Sequence, residues 1–227
     1  MGMGVFLFFS TLVFASDFDD LPDCATAGLG DGACIERAQQ LHPTQFALGL
    51  RRVTVKHHHI QSLSRADRQA YLARNPVPVV LGPRCQLYLT DHHHLARAVL
   101  EAGHSKVVLT LLHDWSHLSV DDFWDRMERA GLVYLLDEAG QGPQDPRTLP
   151  ASVLALVDDP YRSLAGFARE RGCFQKSPIP YAEFQWAEHF RPRIDVGTTN
   201  ADFKAAVQAA LSICHDPAAG HLPGFIP

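Results

Sequence analysis

Basic residues are too scarce for this chain to hold a polyanion by overall charge. Twenty lysines and arginines stand against twenty-five aspartates and glutamates, and the formal net charge of the 227 residues is -5. Nucleic-acid domains usually carry a basic excess, so chromosomal DNA is not expected as a partner, and only a local basic patch is left to hold an anion. No apolar run reaches the about 20 residues of a membrane-spanning helix, and no internal repeat or long low-complexity tract argues for a solenoid or a fibre. What is present is an ordinary globular composition, 46% hydrophobic and 20% charged. It can bury a substantial core, and the length favours one domain over two.

The N-terminus is apolar at residues 5–9 and 12–15, interrupted by Ser10 and Thr11. Val13 and Ala15 supply the small residues a signal peptidase needs, and Asp17, Asp19 and Asp20 follow. Residues 1–15 therefore read as a signal peptide cleaved after Ala15, although no Lys or Arg precedes the run. An exported protein, periplasmic or secreted, with no membrane span after cleavage is the expectation. Five cysteines suit an oxidising compartment. Cys24 and Cys34 flank a Gly-rich loop at 25–33 and are the expected disulfide of an N-terminal arm, 16–40. Cys85, Cys173 and Cys214 read as small buried residues, with room for at most one further bridge.

Residues 34–41 read as a short helix and His42-Pro43-Thr44 as a turn. Val53, Ile60 and Leu63 permit a helix, and Ser64 restarts one as an N-cap, ended at Asn75-Pro76. The valine-rich run 77–81, the turn Gly82-Pro83-Arg84 and residues 86–90 predict a β-hairpin. A helix over 95–102 stops at Gly103, a strand spans 106–112, and Ser119 with Asp122 starts a further helix that stops at Gly131. Residues 132–136 read as another strand and 140–150 as a loop. Every later signal is helical: Asp159-Pro160 to Gly172, then 181–191, then Asn200 or Asp202 to His215. Strands and helices alternate first and helices alone follow, which predicts a mixed α/β (α+β) layer over 41–139 and a helical C-terminal subdomain over 150–223.

The strongest local signal is Thr90-Asp91-His92-His93-His94-Leu95-Ala96-Arg97-Ala98, where a strand hands over to a helix. Helix N-termini present unpaired N–H groups and partial positive charge, so the junction suits an anion or phosphate. Asp91 reads equally as an N-cap or as a functional carboxylate. On an extended backbone His92 and His94 share one face and His93 the other; on a helical turn the three fan out. They do not easily ligate one ion together, and hydrogen-bonded imidazoles lining a site are the plainer reading. His57-His58-His59 reads as a solvated helix face. Asp158-Asp159-Pro160-Tyr161-Arg162-Ser163 is a strong helix start that accounts for Asp159 and Pro160, whereas Arg162 and Ser163 are surplus to capping, and a guanidinium suits phosphate. Glu183, Trp186 and Arg191 can share a helix side, with Trp186 as core. His113 and Asp114 stand at a strand end, where α/β proteins often place polar site residues.

The hairpin followed by this box resembles the ParB/sulfiredoxin superfamily. The segments PTQFALG at 43–49, PVPVVLG at 76–82, DDPYRSLAG at 158–166 and EFQWAEHFR at 183–191 are similar to its ParB-like nucleases, a likeness spanning 41–223. The superfamily holds nucleotide switches of DNA partition, a cysteine-sulfinate reductase and free-serine kinases. The resemblance implies a ParB/sulfiredoxin-like small mixed sheet with helices and a nucleotide or phosphorylated small molecule as ligand. Phosphoryl transfer or phosphodiester hydrolysis is the implied chemistry, with a divalent metal accompanying the nucleotide. It points to Asp91, His92, His93 and His94 as catalytic residues, Asp91 positioning a metal or nucleophile and His93 as acid/base near neutral pH. Lys56, Thr90, Asp159, Arg162 and Ser163 are implied as phosphate- or ligand-binding residues. This box departs from its relatives. It lacks the sulfiredoxin cysteine, Cys85 lying upstream, and Leu95 or His94 stands where an arginine usually grips phosphate, a role left to Lys56 or Arg162. A non-catalytic exported binding module on the same scaffold is the alternative. A DHH-type metal phosphoesterase is a weaker match, because such sites need further aspartates and 41–90 holds only Asp67.

Overall fold

The computed structural model describes residues 18, 21–24 and 32–227. The expected signal peptide and most of the loop at 25–33 lie outside the described residues. Seven α-helices and a five-stranded mixed sheet form the α/β framework among the described residues. The strands are β1 (Cys34–Arg37), β2 (Leu41–Pro43), β4 (Val77–Leu81), β5 (Leu87–Leu89) and β6 (Lys106–Asp114), in the order β1-β6-β4-β5-β2. β3 (Ala47–Leu48) pairs separately, in parallel, with β7 (Val157–Asp158).

The predicted hairpin is present. β4 and β5 run antiparallel with Val79 opposite Leu89, and β6 lies parallel on the other side of β4. Val77, Val79, Leu89 and Leu109 are wholly buried, each such side chain contributing about 1.5–3 kcal/mol. Gly82 opens the hairpin turn because any side chain there would collide with the Tyr88 and Phe123 rings, the nearest atom 2.6 Å from an added Cβ. Arg84 and Cys85 follow in the left-handed region.

Four expectations need correction. Residues 34–41 are β1 and a 3-10 turn leading into β2, because pairing of Cys34 with Leu109 and Leu41 with Leu87 recruits them into the sheet. His42 and Pro43 thus belong to a strand rather than a turn. Residues 132–136 form no strand but a coil with one bridge, Tyr134 to Gln45. Cys85 is exposed with a free thiol. The Cys24–Cys34 disulfide is formed as expected, and Cys173 and Cys214 make a second one. Among the described residues no helix is long and apolar enough to cross a membrane. The two disulfides fit an extracellular protein.

The helices are α1 (Leu50–Ser62), α2 (Arg65–Ala73), α3 (His93–Glu101), α4 (Val120–Arg129), α5 (Pro160–Glu170), α6 (Ala182–Phe190) and α7 (Asn200–Ile213). Ser64, Ser119 and Asp159 each accept a backbone N–H of the first turn that follows, and Thr199 with Asp202 forms a full capping box. α1 packs on α3 and α5, while α5 packs on α6 and α7. The sheet shares one core with α1 and α3. A second core lies among α5, α6 and α7, where buried Trp186 donates its indole N–H to the Pro223 carbonyl at 2.8 Å. α5 therefore joins the sheet side to the helical side and brings Arg162 to the box.

Candidate functional site

β5 ends at Leu89, and the next five residues each meet a different environment. Thr90 is buried, and its hydroxyl donates to the Pro78 carbonyl at 3.3 Å. Asp91 is exposed and is not the N-cap of α3: its Oδ1 accepts the His92 N–H at 2.6 Å. The N-cap is His92, in the left-handed region with φ 64° and no side-chain cap. Such a conformation is rare for a residue with a side chain and tends to cluster at functional sites. The His92 Nδ1 is buried without a hydrogen-bond partner.

His93 and His94 are hydrogen-bond acceptors. The Thr44 N–H donates to His93 Nε2 at 3.2 Å, and the Gly49 N–H donates to His94 Nε2 at 3.2 Å. The two imidazoles thereby hold both ends of the segment that contains β3. Accepting at Nε2 places the ring proton of each on Nδ1. Burial disfavours the imidazolium, pushing His93 down to about 3 and His94 well below the ordinary value of 6.5, while Arg162 pushes both the same way. His92 is also lowered, by burial first, with Asp91 opposing. The expected near-neutral acid/base role of His93 rested on an unperturbed ring; in its place stands a neutral, anchored one.

The opposite wall comes from α5 and α6. Arg162 lies over the Phe184 ring, 5.2 Å from its centroid, with 14% of its side chain exposed. Its Nε is buried and unpartnered, a deficit that costs about 1–3 kcal/mol and that a bound anion would relieve. Glu183 is shared, 3.6 Å from Arg162 and 3.0 Å from Arg169. Tyr181 ties this wall to the box. Its hydroxyl shares a 3.2 Å hydrogen bond with Thr44 and donates to the Thr90 carbonyl at 3.4 Å.

Between the walls lies a cleft of about 610 Å³, inside the range of about 300–1,000 Å³ common for small-molecule sites. Of the residues expected from sequence, Lys56, Thr90, Asp91, His92, His93, His94 and Arg162 all line it. Asp159 and Ser163 are not among its lining residues. Asp159 is buried, caps α5 through the Tyr161 N–H and pairs with Arg191 at 3.0 Å. Ser163 packs against Gly49 with its hydroxyl unpartnered. Glu183 reaches the cleft, whereas Trp186 is core and Arg191 binds Asp159 and Glu188. His113 stacks on Trp115 away from the cleft, and Asp114 accepts from Ser116. In the other triplet His58 and His59 are exposed on α1.

Sequence reasoning missed Arg52, Arg169 and Lys176, which also line the cleft. The signal was present: Arg52 and Lys56 are four residues apart on α1, and Arg162 and Arg169 seven apart on α5, spacings that stack side chains on one helix face. The cleft thus carries five cationic side chains against the two carboxylates Asp91 and Glu183. Lys56 is lowered from its ordinary value by burial first and then by Arg52. No three His, Cys, Asp or Glu side chains converge as metal ligands among the described residues. His93 and His94 already spend Nε2 on backbone N–H groups. Among the described residues these donors therefore do not form a site for a protein-held cation.

A mixed sheet whose hairpin leads into a helix start, backed by α-helices and facing a cationic cleft, is a ParB/sulfiredoxin-like architecture. The family model described as "Putative ParB-like nuclease" matches residues 35–192, over half of the chain, and the chain belongs to that family. Among solved structures it is similar to protein Atu1540 from Agrobacterium tumefaciens, at 35% identity and a TM-score of 0.79, over 86% of this chain and 96% of that one. No curated protein matches it.

Proposed function

We propose that the cleft binds a phosphorylated small molecule, a nucleotide in the first instance, and hydrolyses or transfers its phosphate. The observation that carries this reading is the charge reversal: a chain of net charge -5 concentrates Arg52, Lys56, Arg162, Arg169 and Lys176 around one cavity. Arg162 replaces the arginine missing from the box, offering a guanidinium whose Nε is still unpaired, and the uncapped start of α3 adds backbone N–H groups. Helices of 150–223 act as the cover that supplies Arg162, Arg169 and Glu183. In hydrolysis, water attacks phosphorus and passes a proton to Asp91. The ester P–O bond breaks, and the leaving oxygen takes a proton from solvent. Arg162 stabilises the charge on the equatorial oxygens. Export is part of the proposal, supported by the two disulfides and the apolar N-terminal run.

One observation favours a second reading, binding without turnover: neither His93 nor His94 is poised to exchange a proton near neutral pH. A thermal-shift series with AMP, ATP and a dinucleotide, beside product analysis by chromatography, separates the two. The proposal expects a raised midpoint for wild type and for Asp91→Asn, with turnover lost by at least about 100-fold in the variant only. Binding without product from wild type selects the second reading. No midpoint shift with any phosphate ester removes both.

A further inference from the structure

The lining of the cleft is not wholly charged. Six large hydrophobic side chains are exposed among the described residues, and two of them, Leu112 and Ile179, line this cavity. Their exposure is 42% and 51%. Each is held there by a local device. Along the parallel pair β4 and β6, Val79 stands opposite Leu111 but Val80 opposite His113, so Leu112 is the extra residue of a β-bulge. Bulges of this kind re-aim a side chain and are over-represented beside active sites. Ile179 sits between Pro178 and Pro180, two residues whose rings fix φ and stiffen the segment, and its N–H is held by the Ser177 hydroxyl at 3.1 Å. Leu132 and Pro78 also line the cleft.

We infer that Leu112 and Ile179 form an apolar jaw that takes the ring of a phosphate ester whose anionic end lies at Arg162 and Arg169. The inference rests on the phosphate reading of the cleft and adds to it the class of ligand: an aryl or heterocyclic phosphate ester, not inorganic phosphate or a sugar phosphate. Charge complementarity orients the ligand, because the cavity lining combines guanidinium groups with exposed aliphatic side chains. A cavity of about 610 Å³ is of the size that buries a whole drug-sized ligand. Stiff, pre-placed aliphatic groups lose little freedom on binding, so their contact surface converts efficiently into affinity.

Calorimetric titration of the full mature chain with two matched pairs tests this: AMP against ribose 5-phosphate, and phenyl phosphate against methyl phosphate. Wild type is expected to bind the ring-bearing member of each pair at least about 10-fold more tightly, the lower end of what one apolar group achieves in a fitted pocket. Leu112→Ser and Ile179→Ser, both at exposed positions, should bring each ratio close to one and leave affinity for ribose 5-phosphate unchanged. Equal affinities within both pairs would overturn the jaw while the phosphate reading stands. A gain confined to AMP would overturn it in favour of polar recognition of the base. If no phosphate ester binds at all, the phosphate reading fails and the jaw with it.

Discussion

Acidification should destabilise this protein through its buried imidazoles, and His93 allows the size of the effect to be worked out. The ring is held near 3 when folded and returns to an ordinary 6.5 when unfolded. The unfolded chain therefore binds the extra proton across the whole window between those values. Stability is full above pH 6.5 and falls as the pH drops towards 3, the reverse of what a paired, charged histidine would give. At pH 5, one and a half pH units below the unfolded value, with about 1.4 kcal/mol per unit, His93 alone removes about 2 kcal/mol relative to pH 7. His94 acts in the same direction. Urea denaturation at pH 7 and pH 5, on wild type and on His93→Gln, isolates the contribution. The glutamine carboxamide can still accept the Thr44 N–H but does not titrate. Wild type should lose about 2 kcal/mol more than the variant between the two conditions. Equal losses would show that His93 titrates normally in the folded state, and the anchored, neutral ring would be wrong.

Arg162→Gln should weaken phosphate-ester binding at least about 10-fold, as expected for loss of a charge-assisted contact, with little change in the denaturation midpoint because Glu183 keeps Arg169. Gly49→Ala would bring a Cβ to 2.7 Å from the Ser163 backbone nitrogen; urea denaturation should register an overpacking penalty of about 1–3 kcal/mol. Replacing Cys173 and Cys214 by serine releases a closure of 41 residues, a loss of about 4 kcal/mol on loop entropy that a denaturant midpoint would register. His58→Ala, at an exposed position of α1, should change neither ligand affinity nor the midpoint.

The hairpin and the caps were legible because their causes are local. A valine run, a Gly-Pro turn and Ser64, Ser119 or Asp159 ahead of an apolar pattern need no distant partner to act. The misread segments are those decided from afar. Residues 34–41 become strand and turn through β6 and β5, and a two-residue pair such as β3 with β7 leaves no period to detect. The same division runs through the site. Asp91 and the histidines announce themselves by position and Arg162 by being surplus to its cap. Arg169, Arg52 and Lys176 look like ordinary solvated charges until α1, α5 and the coil before α6 are brought around one cavity. Asp91 itself was legible as a candidate but not as to its bond, because the left-handed turn at His92 shifts the cap by one residue. Burial, which turns His93 from a titrating group into an acceptor, is a property of the packed core and leaves no mark on the triplet.

The central claim is that a cationic cleft centred on Arg162 holds a phosphate ester. Isothermal titration of AMP into the wild-type chain and into Arg162→Gln, each at low and at moderate salt, is the direct test. Wild type should show saturable one-site binding that weakens as salt screens the cationic wall, and the variant an affinity at least about 10-fold lower. Binding of equal strength in the two proteins, or none in wild type, would contradict it.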